Sequence, residues 1–412
     1  MFLHGIIIMK VVDFMNKKIL IIVIAIFSSL LIIIGSVFLY QKYKVDHAVK
    51  IVNIKMHEVE VYSDVMLSDL ITSMNGHLIK DKKINTDKLG SYEVVFDYIN
   101  DDDIKVNYSF SINVVDKTPP MISKPNVYNV NVNYDGNIEK DLFCGDNYDD
   151  NPKCYIEGEY DISKIGKYNV TFVGIDSSNN ESRHNFVLNV RKKPKSSTSN
   201  NNSFVNFSDL VEKYKTDKTK MGIDISHWQG NIDFQKVKEA GVEFVYIRVG
   251  RGNGIGGEYV IDKKFEKNIE GFNKVGIPVG VYFYSFANSV QDATEEAKWV
   301  LQQIKNYDVD LEIVFDWENW SSFQEFDLSF KKLTNLASSF GKVVKNKGYQ
   351  AMLYSSKNYL ENVWYPVDFP VWLAHYTDNT DYSGEYKVWQ LCNNGRVDGI
   401  DDNLVDIDIM YE

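Results

Sequence analysis

The sequence predicts a multidomain chain: one transmembrane helix at the N-terminus, two all-β sandwich modules and a C-terminal α/β barrel. Three observations predict it. An uncharged apolar run fills Ile19–Tyr40, a β-patterned segment repeats at a fixed offset between residues 48 and 192, and from about Lys218 apolar strands alternate with helical stretches. The expected boundaries are 1–18 for a cytoplasmic N-terminus, 19–40 for the transmembrane helix, 48–116 and 117–192 for the modules, 193–217 for a linker and 218–412 for the barrel. With 412 residues the chain has room for roughly two to four domains.

Ile19–Tyr40 is 22 residues without a charge. As a helix it spans about 33 Å, enough for a hydrocarbon core of about 30 Å. No small-residue cleavage pattern follows the run, so an uncleaved anchor is preferred to a signal peptide. Lys10, Lys17 and Lys18 precede the run and Lys42, Lys44 and Lys50 follow it, so charge alone does not orient it. A net charge of −12 excludes nucleic acid as partner, since there is no basic excess to neutralise phosphates. Aromatics at 14%, with 26 Tyr, suit sugar-stacking surfaces and plain β-sheet alike.

In the repeat, Gly90-Ser91-Tyr92-Glu93-Val94-Val95-Phe96 answers Gly166-Lys167-Tyr168-Asn169-Val170-Thr171-Phe172, and Phe110, Ile112 and Val114 answer Phe186, Leu188 and Val190, each pair 76 apart. Alternating apolar residues between Gly, Asn and Asp turns predict antiparallel sandwich strands. Asp116-Lys117-Thr118-Pro119-Pro120 at the junction and Asp146-Asn147-Tyr148-Asp149 in the second module resemble bacterial immunoglobulin-like domains of surface proteins, which implies a spacer role. The acidic stretch Asp146–Asp150 is read as a turn rather than a calcium loop, and no metal is expected. Cys144 and Cys154 enclose nine residues and are candidates for a disulfide outside the cell, leaving Cys392 a free thiol. Lys192–Ser203 is polar without an apolar period and is expected to be a flexible linker.

The barrel segment offers strands at Phe244–Val249, Val279–Tyr284, Leu311–Phe315 and Met352–Tyr354, with helical spacing over Val290–Tyr307 and Phe326–Lys347. The last strands, Val371–Ala374, Val388–Gln390 and Val405–Ile409, follow one another with little helix between them. In parallel barrels the working face lies at the C-terminal strand ends. Acids stand there on three separated segments: Asp224 on the first strand, Asp316 and Glu318 at the fourth, Asp406 and Asp408 on the last. Barrel closure makes the first and last strands neighbours, which brings Asp224 to Asp406. Paired carboxylates suit glycosidic cleavage, one protonating the leaving oxygen while another supports the oxocarbenium-like centre. A strand spacing of about 6.5–7 Å between Asp316 and Glu318 falls between the retaining and inverting ranges and leaves the stereochemistry open. Tyr282, Tyr284, Tyr354, Trp372, Tyr376 and Trp389 lie near strand ends as candidate sugar-stacking residues, with core packing about equally expected for each.

Residues 218–412 resemble the lysozyme domains of glycoside hydrolase family 25. Asp224-Ile225-Ser226-His227-Trp228-Gln229-Gly230 matches the family's opening D-x-S-x-x-Q-G, Phe315-Asp316-Trp317-Glu318 its D-x-E, Trp372-Leu373-Ala374-His375-Tyr376 its W-x-A-x-Y and Val388-Trp389-Gln390 its late W-Q. The closing V-D-x-N reads Val405-Asp406-Ile407-Asp408 here, so Asp408 stands where an Asn contact is usual. The resemblance implies a (β/α)5(β)3 barrel and hydrolysis of the β-1,4 bond between N-acetylmuramic acid and N-acetylglucosamine. Its implied catalytic set is Glu318, Asp316, Asp224 and Asp406, with Glu318 the general acid whose raised pKa keeps a proton. Tyr282, Tyr284, Tyr354, Trp372, Tyr376, Trp389, Gln390 and Asp408 are the implied substrate contacts. Expected partners are peptidoglycan glycan strands and the membrane, with no cofactor, no nucleic acid and no obligatory protein partner. The catalytic domain is then expected on the wall-facing side of the cell membrane. The alternative is a weak or inactive peptidoglycan-binding surface protein. A chitinase-type barrel is disfavoured, because Val314 stands where that signature needs a further acid.

Overall fold

The computed structural model describes residues 2–193, 204–401 and 404–412; linker positions 194–203 lie outside the described residues. The chain divides into two compact units, Met1–Lys117 and Thr118–Glu412.

In the first unit, helix Phe2–Asp46 contains a segment, Lys17–Asp46, long and apolar enough to cross a membrane. A four-stranded sheet follows, built on the hairpin Gly90–Asn100 with Lys105–Val115 and flanked by Gly76–Leu78 and Glu58–Glu60. Its buried face carries Val94, Phe96, Tyr98, Val106, Ile112 and Val114 at strand period, because alternate side chains share a face.

The second unit opens with the repeat of that sheet. Hairpin Gly166–Ile175 with Glu181–Arg191 is flanked by Lys153–Glu157 and Val127–Asn131. One feature differs from the antiparallel expectation. Val127–Asn131 pairs parallel to Glu181–Arg191, as Glu58–Glu60 does to Lys105–Val115. In each module the second strand lies beside the closing strand and runs the same way. Cys144 and Cys154 form a disulfide, with Cα atoms 6.4 Å apart. The Asp146 carboxylate accepts hydrogen bonds from the amides of Tyr148 (2.9 Å) and Asp149 (2.7 Å), the turn chemistry expected of Asx residues.

The rest of the unit is a closed ring of eight strands: β1 (Thr219–Ile225), β2 (Phe244–Gly252), β3 (Val279–Tyr284), β4 (Ile313–Asp316), β5 (Ala351–Ser356), β6 (Val371–Ala374), β7 (Val388–Arg396) and β8 (Val405–Tyr411). Helices α1 (Phe234–Glu239), α2 (Phe265–Val275), α3 (Val290–Ile304), α4 (Phe330–Lys345) and α5 (Lys357–Asn362) follow the first five strands in turn. Strands β1 to β7 run parallel. Only residues 397–404 join β7 to β8, fewer than the dozen or so that a parallel crossover needs, so β8 runs antiparallel to both β7 and β1. Helix starts follow the sequence chemistry: the Ser289 hydroxyl accepts from the Asp292 amide (3.1 Å) to cap α3, and Gly276 ends α2 in the left-handed conformation at φ 70°. Gly280 leaves room for the Tyr246 ring, which a Cβ there would meet at 2.2 Å. The expected linker is shorter than predicted. Helix Phe207–Tyr214 buries Phe207 and Leu210 in the barrel's own core, so its amphipathic stripe was packing surface.

The second module does not hang free as a spacer would. Phe143 projects from it into the barrel core, its ring 5.2 Å from Phe323, 5.7 Å from Tyr359 and 6.2 Å from both Trp320 and Phe330.

Candidate active site

Period-2 alternation decides what enters the ring. On every strand the even-numbered residues point inward near the mouth, and Asp224, Arg248, Tyr282, Tyr284, Asp316, Tyr354, Trp372, Gln390 and Asp406 line one cavity of about 220 Å³. Ser226, Trp228, Gln229 and Glu318, from the loops after β1 and β4, complete it. Strand β4 ends at Asp316, so Glu318 lies beyond the ladder rather than two residues along it; it still reaches the same cavity. Asp224 and Asp406 are direct cross-strand partners, as barrel closure requires.

Gln390 is the hub of the floor. Its amide nitrogen donates to Asp224 (2.7 Å), while its oxygen accepts from the hydroxyls of Tyr354 (2.9 Å) and Tyr376 (3.0 Å). On the β2 side, Arg248 Nε and Nη2 donate to one oxygen of buried Asp262 at 3.0 and 2.8 Å, and His227 Nδ1 lies 3.0 Å from that oxygen.

The acids crowd together, and desolvation dominates their titration. Burial, then the Asp406 and Asp408 charges, pushes Asp224 well above the ordinary carboxylate range. Burial, then the charge and hydrogen bond of Glu318, does the same to Asp316. Burial followed by the Glu318 charge lifts Asp406 to about 6, and Glu318 itself is raised by desolvation. The least solvated of the D-x-E pair is Asp316, at 4% exposure, whereas Glu318 opens to solvent at the rim. Asp316 terminates an interior strand, and Glu318 sits in the loop above it, the more exposed of two hydrogen-bonded acids.

Three expected contacts lie outside the cavity lining. Asp408 is one pleat repeat deeper than Asp406 and fully buried, where it accepts the Trp372 indole N–H at 2.9 Å. The carboxylate at this departure from the V-D-x-N pattern thus holds a wall residue in place. Trp389, at an odd position, faces outward; its N–H donates to the His375 carbonyl (2.8 Å) and its ring packs on Tyr214. Tyr376, 52% exposed, is outside the lining and reaches the site only through Gln390. Conversely, Trp228 and Arg248 line the cavity although neither was among the expected contacts. Trp228 is 70% exposed beside the acids, and its place inside the H-W-Q-G segment was the available signal.

One further buried acid supports the site from behind. Glu296 of α3 accepts from the Ser285 hydroxyl (2.6 Å) and the Phe286 amide (3.1 Å), while the Ser285 amide donates to the Asp316 carbonyl (2.7 Å). Desolvation pushes Glu296 up to about 8. A carboxyl whose folded pKa exceeds its unfolded value favours folding below the unfolded pKa and loses that contribution as pH rises through the folded one. Stability is therefore expected to fall by a few kcal/mol, on the order set by about 1.4 kcal/mol per unit, between about pH 4.5 and 8. Glu296→Gln, whose oxygen can accept from the Phe286 amide while its nitrogen donates to Ser285 Oγ, should flatten that decline; denaturant melts at pH 5 and pH 8 check it.

Residues 223–400 match the family described as Glycosyl hydrolases family 25. The autolytic lysozyme of Clostridium acetobutylicum is 30% identical over 182 residues, covering 43% of this chain and 52% of that protein. Lysozyme M1 of Streptomyces globisporus is 28% identical over 193 residues, covering 43% of this chain and 64% of that protein. A solved family 25 glycosyl hydrolase from Bacillus anthracis is 21% identical, covering 48% of this chain and 92% of that one, with a TM-score of 0.41. The chain thus spans about half to two thirds of the length of these two lysozymes. Residues 223–400, which supply every lining residue of the acidic cavity except Asp406, form a family 25 glycosyl hydrolase domain.

Proposed function

We propose that the chain is a membrane-anchored cell-wall hydrolase, its barrel of the (β/α)5(β)3 type cleaving the β-1,4 bond between N-acetylmuramic acid and N-acetylglucosamine. One observation carries the reading: Asp224, Asp316, Glu318 and Asp406, from β1, β4 and β8, meet in one cavity with Tyr282, Tyr284, Tyr354, Trp372 and Trp228 around them. Glu318, raised in pKa yet open to solvent, is the group able to hand a proton to a glycosidic oxygen. As the bond to the anomeric carbon breaks, that proton neutralises the leaving oxygen. Asp316 beneath it stabilises the electron-poor carbon or orients the 2-acetamido group that attacks it. Asp224, tied to Gln390, fixes the floor. The apolar N-terminal helix supports a single-pass anchor that keeps the barrel on the wall side. The modules preceding the barrel support an immunoglobulin-like reading through their shared strand order.

A zymogram or turbidity assay with the full chain in detergent tests the activity. Clearing of peptidoglycan supports it; binding without clearing supports an inactive wall-binding protein instead. In the same assay Trp228→Ala should raise KM about 2- to 10-fold with kcat within twofold, the effect of losing one stacking face at the rim.

A further inference from the structure

We propose that the second β-module is a positioning element for the segment that presents Glu318, with Phe143 its principal contact. The inference rests on Glu318 as general acid. Beyond Asp316 the chain leaves the β-ladder, and Trp320–Phe326 is an irregular 3-10 segment broken by a non-helical Ser322 at φ −125°. At its start the Trp320 amide donates to the Glu318 carbonyl (2.8 Å) and the Ser322 amide to the Asn319 carbonyl (3.2 Å), but the break at Ser322 leaves two short turns with no continuous helix to fix one against the other. Side-chain packing has to hold them in place.

The barrel packs one side of the segment. Trp317 lies 4.9 Å from Trp320 and 5.0 Å from Phe326, Tyr359 stacks on Trp320 at 3.7 Å, and Asn319 Nδ2 donates to the Ser285 carbonyl at 2.9 Å. The module packs the other. Phe143 fills the space between Phe323, Trp320 and Phe330, and Gln324 Nε2 donates to the Glu139 and Leu142 carbonyls, both at 3.0 Å. Gly145 permits this approach, since a Cβ there would sit 2.6 Å from the Phe323 ring. The start of α4 is clasped too: the Phe330 amide donates to the Asp146 carbonyl (2.8 Å), the Ser329 amide to Asp150 Oδ1 (3.2 Å), and Lys332 pairs with Asp150. Phe143 is itself held firmly. Its amide donates to Ser123 Oγ (2.8 Å), its carbonyl accepts from the Ser123 amide (2.8 Å), and the next residue is the disulfide-bonded Cys144. An unbroken line of packed rings thus runs from the module through Trp320 to Trp317, the residue before Glu318.

The test uses the full chain in detergent. Phe143→Ala should lower kcat on peptidoglycan at least about 10-fold with KM within twofold. The alkaline limb of the pH–rate profile should move to lower pH, because a looser, better solvated Glu318 gives up its proton earlier. Phe143→Leu should recover most of the rate. Gln324→Ala, which leaves the aromatic contacts intact, should cost roughly threefold or more in kcat and covers the case in which Phe143→Ala fails to fold. Hydrogen exchange gives a readout independent of turnover: amides of 318–326 should lose protection while those of β1–β3 keep theirs. Unchanged exchange at 318–326 in a folded variant overturns the proposal, as does an unchanged kcat and pH profile in an active protein. An inactive wild type with the exchange effect present would instead overturn the hydrolase reading alone.

Discussion

Replacing Glu318 with Gln is expected to lower peptidoglycan hydrolysis by about 10²–10⁴-fold while leaving the fold and its melting temperature essentially unchanged. The amide keeps the size of the side chain and removes only the transferable proton. Glu318 sits at the rim, outside any strand, so the barrel does not depend on it. When ionised, its charge raises Asp316 and Asp406, so the neutral amide should ease their ionisation as pH rises. KM should stay within a few-fold, because the aromatic walls and Arg248 are untouched. In the wild type, activity should fall as pH rises through the elevated pKa of Glu318, since the acid form is the working one. Reducing-sugar release against pH for the two proteins, alongside circular dichroism, checks both statements.

Trp317→Ala should produce the largest stability loss, about 3–5 kcal/mol, from the cavity left by a fully buried indole. Trp317 stands between the two D-x-E acids but points away from them, into Trp320, Phe323 and Phe326, and its N–H donates to the Ala287 carbonyl at 3.1 Å. The alternation of the chain at Asp316, Trp317 and Glu318 sends the acids to the cavity and the indole to the core. Trp317→Phe should cost less, roughly 1–2 kcal/mol, by keeping a ring in the space while losing the hydrogen bond. Urea melts of the purified chain check the order of the two variants.

Much of the site was legible because it obeys the two-residue period of strands. Asp224 and Asp316 stand at the end of a run of alternating residues and Asp406 at the start of one, and closure of the ring places the first and last strands side by side. The same period argues against Trp389, whose odd position turns it outward, and the depth of Asp408 follows from β8 running away from the mouth, which sets it opposite Gly222 rather than Asp224. Reading motifs as wholes obscured both. Trp228 and Arg248 were missed because their roles depend on loop placement and on a partner, Asp262, far along the chain. Glu296 was not singled out, although it falls on the apolar stripe of Ala293, Ala297 and Val300; its partner Ser285 leaves no local pattern. The repeat offset of 76 correctly anticipated two sheets of one design, but a parallel edge strand leaves no local pattern. Nor does a docking surface: Phe143 reads as any strand-end aromatic until the barrel's own rings are seen around it.

The most direct measurement is digestion of purified peptidoglycan by the intact chain, with mass analysis of the released fragments. New reducing ends on N-acetylmuramic acid, absent when Glu318→Gln is used, are the expected result. Reducing ends on N-acetylglucosamine, or equal release by the two proteins, would contradict a muramidase built around that carboxyl.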